Sequence, residues 1–507
     1  MSIKQDYYFW SFIQQLLLSP ATELIYTNAN ASELWFEVKK PKEKYTMRVI
    51  RKHFNWMIDL QKDRKLAIQR AEQIRRQRFQ RRLHLNNVYI MDFKPINNGM
   101  LMEEATVSSK VSGETTIISE NDSIKYEQLF TRLDFRYPDI ENLSDEEIFE
   151  QIERLKRQSA TIIQGQKKEE EAIFQYGKPF FTYIFLAVQI AMFLFLEWKG
   201  GSEDTLTLLE YGAKYNPLIL AGEWWRFFTP IVLHIGFLHL LMNSFALYYL
   251  GSLVEQIYGN MRFLFIYIVA GFAGTLGSFV WTSSLSAGAS GAIFGCFGAL
   301  LFLARTHPKL FFRTIGYNII AIIVINLVFG FVVPGIDNAG HVGGLVGGFL
   351  AASIVSLPKQ RRLYMQIPAL ISTVLLVGGL LYYGFFERSI DQDEPYALSV
   401  AGSYIQEKQY EKARSLLEIF IDKETQNSRV YYAAAYAEAQ LNEYEHAEEL
   451  MKKAVQYEPK FHEGFYYLSL LNVQLNDVEE AKENVEKARE LDPNNQDYEK
   501  LWQELHD

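Results

Sequence analysis

Between residues 180 and 386 the sequence contains seven apolar runs, near 180–198, 236–257, 261–281, 290–305, 314–333, 340–357 and 366–386. About 20 apolar residues at roughly 1.5 Å each cross the ~30 Å hydrocarbon core of a bilayer, and in lipid a helix satisfies its own backbone. The middle of the chain is therefore expected to be a multi-pass α-helical membrane domain of seven spans. Composition is informative only by segment, because a mean hydropathy of -0.08 over 507 residues averages this apolar middle against two polar ends. The opening residues Met1 to Tyr8 lack a charged region followed by an apolar stretch and a small-residue cleavage site, so export of the N-terminus by a cleaved signal is not expected.

Lys and Arg near the span ends set the orientation. Arg154, Lys156, Arg157, Lys167, Lys168 and Lys178 precede the first run, Arg305, Lys309 and Arg313 follow the fourth, and Lys359, Arg361 and Arg362 follow the sixth. The loops near 282–289 and 334–339 contain none. A cell-membrane protein with a cytoplasmic N-terminus and an extracytoplasmic C-terminus is expected. From Glu387 onward 27 Asp and Glu stand against 13 Lys and Arg. This acidic end argues against nucleic acid as a partner. The single cysteine, Cys296, excludes an intramolecular disulfide and a multi-cysteine metal site, and its apolar neighbours make it a buried thiol.

Residues 1–175 read as a cytoplasmic α/β domain and connector. β-rich runs at Glu33–Val38, Tyr45–Ile50 and Val88–Phe93 surround a predicted helix over 55–83, and 140–176 is expected to connect into the first span. The helix carries Lys62, Arg64, Lys65, Arg70, Arg75, Arg76, Arg78, Arg81 and Arg82, a basic row suited to anionic headgroups of the bilayer, to nucleic acid, or simply to a solvated face. At the other end, Tyr410-x-x-Ala413, Tyr444-x-x-Ala447 and Val478-x-x-Ala481 recur every 34 residues. Ala454 and Ala488 keep that step, as do Glu458-Pro459 and Asp492-Pro493. This period resembles the tetratricopeptide repeat and predicts an α-solenoid over 394–507, with units at 394–427, 428–461 and 462–495 and a capping helix. The first unit departs from the others, with Phe420 and Thr425 in place of Ala and Pro. Such arrays present a concave surface to protein partners.

Polar groups inside hydrocarbon are costly and mark candidate function. His239 and Asn243 lie one turn apart in the second run, with His234 a turn earlier. Gly288-Ala289-Ser290-Gly291 opens the fourth, and Gly340-His341 opens the sixth. A serine needs a base to become a nucleophile, and imidazole is the usual one near neutral pH. Gly291, Gly295 and Ala299, and Gly340, Gly344, Gly348 and Ala352, form two small-residue rows along which these helices can pack, bringing Ser290 towards His341. The fourth run is short, so its start and the 282–289 loop are expected to lie below the outer surface, around a watery cavity. Backbone amides at that start can stabilise an oxyanion, with His239 and Asn243 as further donors. A zinc site from His234, His239 and His341 would lack the His-Glu-x-x-His pattern, and an α/β-hydrolase elbow would need glycine where Ala292 stands.

Together with the Trp225-Arg226 pair, these motifs resemble the rhomboid family of intramembrane serine proteases over residues 178–357. The resemblance implies a six-helix core with the seventh span as a six-plus-one addition, so that the membrane protease domain covers 178–386. It makes Ser290 the nucleophile, His341 its general base, and His239, Asn243 and the Ser290 amide the oxyanion hole. Gly288, Gly291, Gly295, Gly340, Gly344 and Gly348 become the packing around the site. It further implies cofactor-free and metal-free hydrolysis of transmembrane protein substrates that reach the site laterally near the fifth span. Phe294 stands where the family often has tyrosine against the histidine ring, and offers no hydroxyl there. The competing class is a catalytically silent rhomboid-like scaffold that binds membrane proteins and releases them intact.

Overall fold

A computed structural model of the chain describes residues 2–41, 43–78, 80–96, 110–119, 122–139, 143–333, 335–360 and 362–506. Arg361 and the side chain of Lys309, both used above for orientation, lie outside the described residues. The chain divides into two compact units, 1–173 with 307–322, and 174–306 with 323–507.

In the first unit, α1 (Ile3–Leu18) precedes β1 (Thr22–Thr27), β2 (Glu33–Lys39) and β3 (Lys44–Arg51). There follow α2 (Met57–Gln77), β4 (Leu83–Ile90), β5 (Val111–Ile118), α3 (Ser123–Thr131) and α4 (Asp145–Phe174). The five strands pair in sequence order, antiparallel from β1 to β3 and parallel from β3 to β5. Alternation decides the two faces. Leu34, Phe36, Val38, Met47 and Val49 point into one core with α1, α3 and α4, while Trp35, Leu83 and Leu85 meet Ala67, Ile68 and Ala71 of α2 on the other side. α4 begins with a capping box, in which Glu147 N–H donates to Ser144 Oγ (3.3 Å) and Ser144 N–H to the Glu147 carboxylate (2.8 Å).

The predicted 55–83 helix ends at Gln77, so its basic row is shorter and more committed than the sequence implied. Arg81 and Arg82 lie beyond it, Arg70 stacks on Tyr26 (3.7 Å to the ring centroid), and Arg75 and Arg76 share Glu72. Arg78 turns inward and pairs with Glu37 at 2.7 Å, both nearly buried. Burial pushes the Glu37 carboxyl up, but Arg78, Lys44 and Lys39 together outweigh it and hold the group below its ordinary 4.5. A depressed folded-state value means stability that is present above about pH 4.5 and lost as pH falls through the folded value. Glu37→Gln, which leaves the Arg78 charge uncompensated, is expected to cost about 3 kcal/mol locally. Faster hydrogen exchange in β2 and β3 at neutral pH, converging with wild type at low pH, is the measurable result.

In the chain that follows, every apolar run is helical: α5 (Phe181–Lys199), α8 (Gly236–Ala246) continuing through a π turn into α9 (Ser252–Tyr258), α10 (Asn260–Trp281), α11 (Ser290–Thr306), α13 (Gly316–Val332), α14 (Asn338–Val355) and α15 (Leu363–Tyr382). Short helices α6 (Thr205–Glu210) and α7 (Asn216–Leu220) lie in the first loop, and α12 (Pro308–Thr314) precedes α13. Among the described residues five helices are long and apolar enough to cross a membrane, while α11 and α13 are apolar but shorter. Glu255, fully buried, caps α5 by accepting from the amides of Phe181 (2.8 Å) and Thr182 (2.9 Å).

The centre of the bundle is backbone against backbone. A Cβ on Gly344 would collide with the Gly291 carbonyl, and one on Gly348 with the backbone of Gly295. α10 joins as a third member that the small-residue rows of α11 and α14 did not reveal, with Gly274 against the Gly340 carbonyl and Gly277 against that of Ala339. Gly348→Ala forces α11 and α14 apart and is expected to cost about 1–3 kcal/mol, read as a lower thermal midpoint of the purified protein.

The remaining helices form antiparallel pairs: α16 (Glu394–Gln406) with α17 (Tyr410–Ile421), α18 (Ser428–Gln440) with α19 (Tyr444–Tyr457), and α20 (His462–Gln474) with α21 (Val478–Leu491), ending in α22 (Gln496–His506). Ala413, Ala447 and Ala481 are fully buried at the pair contacts. Phe420, at the position of Ala454 and Ala488, is buried in a core that extends beyond the repeats to Leu209 and Tyr215 of the first loop.

Candidate active site

Ser290 is the first residue of α11 and His341 sits in the first turn of α14, so the glycine contact between these helices sets their separation. Ser290 Oγ lies 2.9 Å from His341 Nε2. The Phe294 ring, one turn further along α11, stacks on the imidazole with centroids 4.2 Å apart and planes 9° apart. His341 Nδ1 has no hydrogen-bond partner among the described residues, so the stacked ring and the serine orient the imidazole.

His239 faces the same loop. Gly288 has φ +144°, and a Cβ there would lie 2.7 Å from the His239 ring, so glycine is required on both counts. His239 Nδ1 accepts from the Ile235 amide at 3.3 Å, which leaves Nε2 as the protonated, donating nitrogen. Asn243 Nδ2 donates to the His239 carbonyl (3.0 Å). The structure thus joins Ser290 to His341 directly, sets His239 against the preceding loop, and ties Asn243 to His239. Trp225 and Arg226 hold the first loop instead, Arg226 donating to the carbonyls of Leu209 (2.8 Å) and Ala213 (2.9 Å) under the Trp225 ring.

Two residues that the sequence reading missed organise the site. Asp337 caps α14, accepting from Gly340 N–H at 2.8 Å, and accepts from Ser286 Oγ at 2.8 Å in the loop before Ser290. An aspartate just before a helical run was the available signal. Lys214, fully buried in the first loop, donates to the carbonyls of Thr282 (2.6 Å) and Ser284 (3.2 Å) and pairs its backbone with Ser286. Burial pushes its ammonium down to about 7, although Asp337 and Asp393 favour the charged form. Among the described residues no cluster of three or more His, Cys, Asp or Glu is arranged to hold a metal ion.

A hydroxyl hydrogen-bonded to a packed imidazole can pass its proton during attack on a carbonyl. The Rhomboid domain family model matches residues 221–358, which contain this pair. The chain is 39% identical over 418 residues to Rhomboid protease GluP of Bacillus subtilis (strain 168), covering 81% of each. It belongs to the rhomboid family. Two further rhomboid relatives are the putative rhomboid protease YdcA of the same organism (37% identity, 36% of this chain and 92% of YdcA) and Rhomboid protease AarA of Providencia stuartii (29%, 43% and 87%). This rhomboid also carries tetratricopeptide repeats, whose family model matches 428–461 and 463–495. The helix pair α16–α17 precedes both matches.

Proposed function

We propose that this rhomboid is an intramembrane serine endopeptidase acting on transmembrane protein substrates, with Ser290 as nucleophile and His341 as general base. The observation that carries the reading is the 2.9 Å contact between Ser290 Oγ and His341 Nε2 at the start of two close-packed helices. Ser290 Oγ attacks the scissile carbonyl while His341 Nε2 takes its proton. The tetrahedral intermediate collapses as His341 returns that proton to the leaving amine, and water activated by the same imidazole hydrolyses the acyl-enzyme. The oxyanion is met by the Ser290 amide and by the Nε2–H of His239, each donor contributing about 3 kcal/mol to the transition state. Asn243 supplies the amide hydrogen that its bond to His239 leaves unused.

In this reading residues 178–386 form the protease domain with seven spans and lateral substrate access near α13. Residues 1–175 face the cytoplasm, and 394–507 lie outside, where the repeats recruit substrate or a protein partner. Wild type, Ser290→Ala and His341→Ala are compared on a single-span protein in proteoliposomes. Wild type alone is expected to give product, with both variants down by about a thousandfold or more. Product from all three rejects the dyad, and no product from a folded wild type across several substrates indicates a binding scaffold.

The recruitment role rests on the repeat match and on the side-by-side α18 and α20, whose Tyr432, Tyr436 and Tyr467 rings contact each other (5.9 and 5.5 Å). Tyr436→Ala with Tyr467→Ala is expected to raise KM several-fold for substrates or partners engaged by the repeats, leaving kcat on a short single-span substrate at the wild-type level.

A further inference from the structure

Residues 282–289 form the irregular segment between α10 and Ser290, and its backbone polar groups need partners. They are met by residues far away in sequence. Lys214 takes the carbonyls of Thr282 and Ser284. Asn216 donates to the carbonyls of Phe279 (3.3 Å) and Thr282 (3.0 Å) and, at 3.0 Å, to Asp393 Oδ1. Arg388 grips Asp393 through both terminal nitrogens, at 2.5 and 2.8 Å, and the same guanidinium donates to Ser283 Oγ at 3.1 Å. The Arg388 and Asp393 side chains are 2% and 0% exposed.

Arg388 and Asp393 lie between the last apolar helix and the first repeat helix, outside the stretch matched by the rhomboid model. The joint continues into α16, where the Tyr396 hydroxyl meets the Leu285 backbone and its ring lies 5.8 Å from that of Tyr215. A buried ion pair contributes little net stability against apolar replacements, so this one is better explained by the geometry that it enforces. It reaches the loop that delivers Ser290 directly through Arg388 and Ser283, and by way of Asn216 from Asp393.

We propose that Asp393 and Arg388 are positioning residues for cleavage: together with Asn216 they fix the 282–289 loop, and through it the approach of Ser290 to His341. The first helix pair of the solenoid is thereby part of the catalytic scaffold, and α18–α21 form the recruiting array. This inference rests on the protease reading above.

The test uses full-length protein in proteoliposomes with a single-span substrate. Wild type, Asp393→Ala, Arg388→Gln and Ser283→Ala are compared by cleavage kinetics, by the rate at which a fluorophosphonate labels Ser290, and by hydrogen exchange. Asp393→Ala and Arg388→Gln are expected to lower kcat by about tenfold or more with KM within about twofold, because small misplacements of a reacting group are costly. Labelling slows in parallel, and exchange quickens in 282–289 while α18–α21 stay protected. Ser283→Ala keeps the ion pair and removes only its bond to the loop, so it shows a smaller loss in kcat and labelling. Wild-type kcat and labelling in the Asp393 and Arg388 variants overturn the proposal, as does a loss confined to KM with normal labelling. If those two variants unfold, normal labelling of Ser283→Ala overturns it. A wild type that neither cleaves nor labels defeats the protease reading, and this inference with it; an active wild type matched by its variants defeats the inference alone.

Discussion

Contact between two helix backbones, Gly291 with Gly344 and Gly295 with Gly348, is the constraint on which the membrane domain depends. Apolar side chains gain little by leaving lipid for a helix interface, so association relies on close approach, which glycine permits. Closeness also fixes register. Ser290 precedes the first of these glycines and His341 stands three residues before its partner, so packing α11 on α14 brings the two side chains within the 2.9 Å contact. Phe294, stacked on the imidazole, converts that helix register into a ring orientation.

Close packing at the helix starts creates a second demand. The segment that turns from α10 into α11 is irregular, and its carbonyls cannot be left bare beside apolar spans. They are answered by Lys214 and Asn216 from the first loop, while Asp337 ties Ser286 to the first turn of α14. At the centre of this network the Arg388 and Asp393 side chains are buried as an ion pair, which is tolerable because each also has a hydrogen-bond partner, whereas either alone would be expensive.

What could be read from the sequence follows from which interactions leave a local trace. Ser290, His341, His239 and Asn243 stand out because polar groups are rare in apolar runs, and the four-residue glycine steps announce the α11–α14 face. The 34-residue period gives the solenoid helices, each of which must bury small residues against its neighbours. α10 also has small residues at four-residue steps, Ala270, Gly274 and Ser278, but no candidate nucleophile or base at its end marks it as part of the site. The basic row on α2 is shorter than its sequence suggests, because the helix stops at Gln77 and Arg78 turns in to Glu37, a pairing with no local trace. Asn216 with Asp393 had no trace at all: 177 residues separate them, and neither belongs to a periodic pattern.

That long-range joint bears on how a repeat array can serve a membrane enzyme. A binding module on a flexible leash samples many positions and raises effective concentration for substrates of many lengths. Here Phe420, Leu416 and Leu417 share one core with Leu209 and Tyr215, so the first helix pair has no leash. On the recruitment role proposed above, an array held this way favours clients that span one fixed distance between the Tyr432–Tyr467 face and the serine. Phe420 and Thr425 then cease to be defects of a repeat. They are the terms on which the first unit gives up the standard helix contact, Phe420 to fill the shared core and Thr425 to bind Glu394 beside the Asp393 joint.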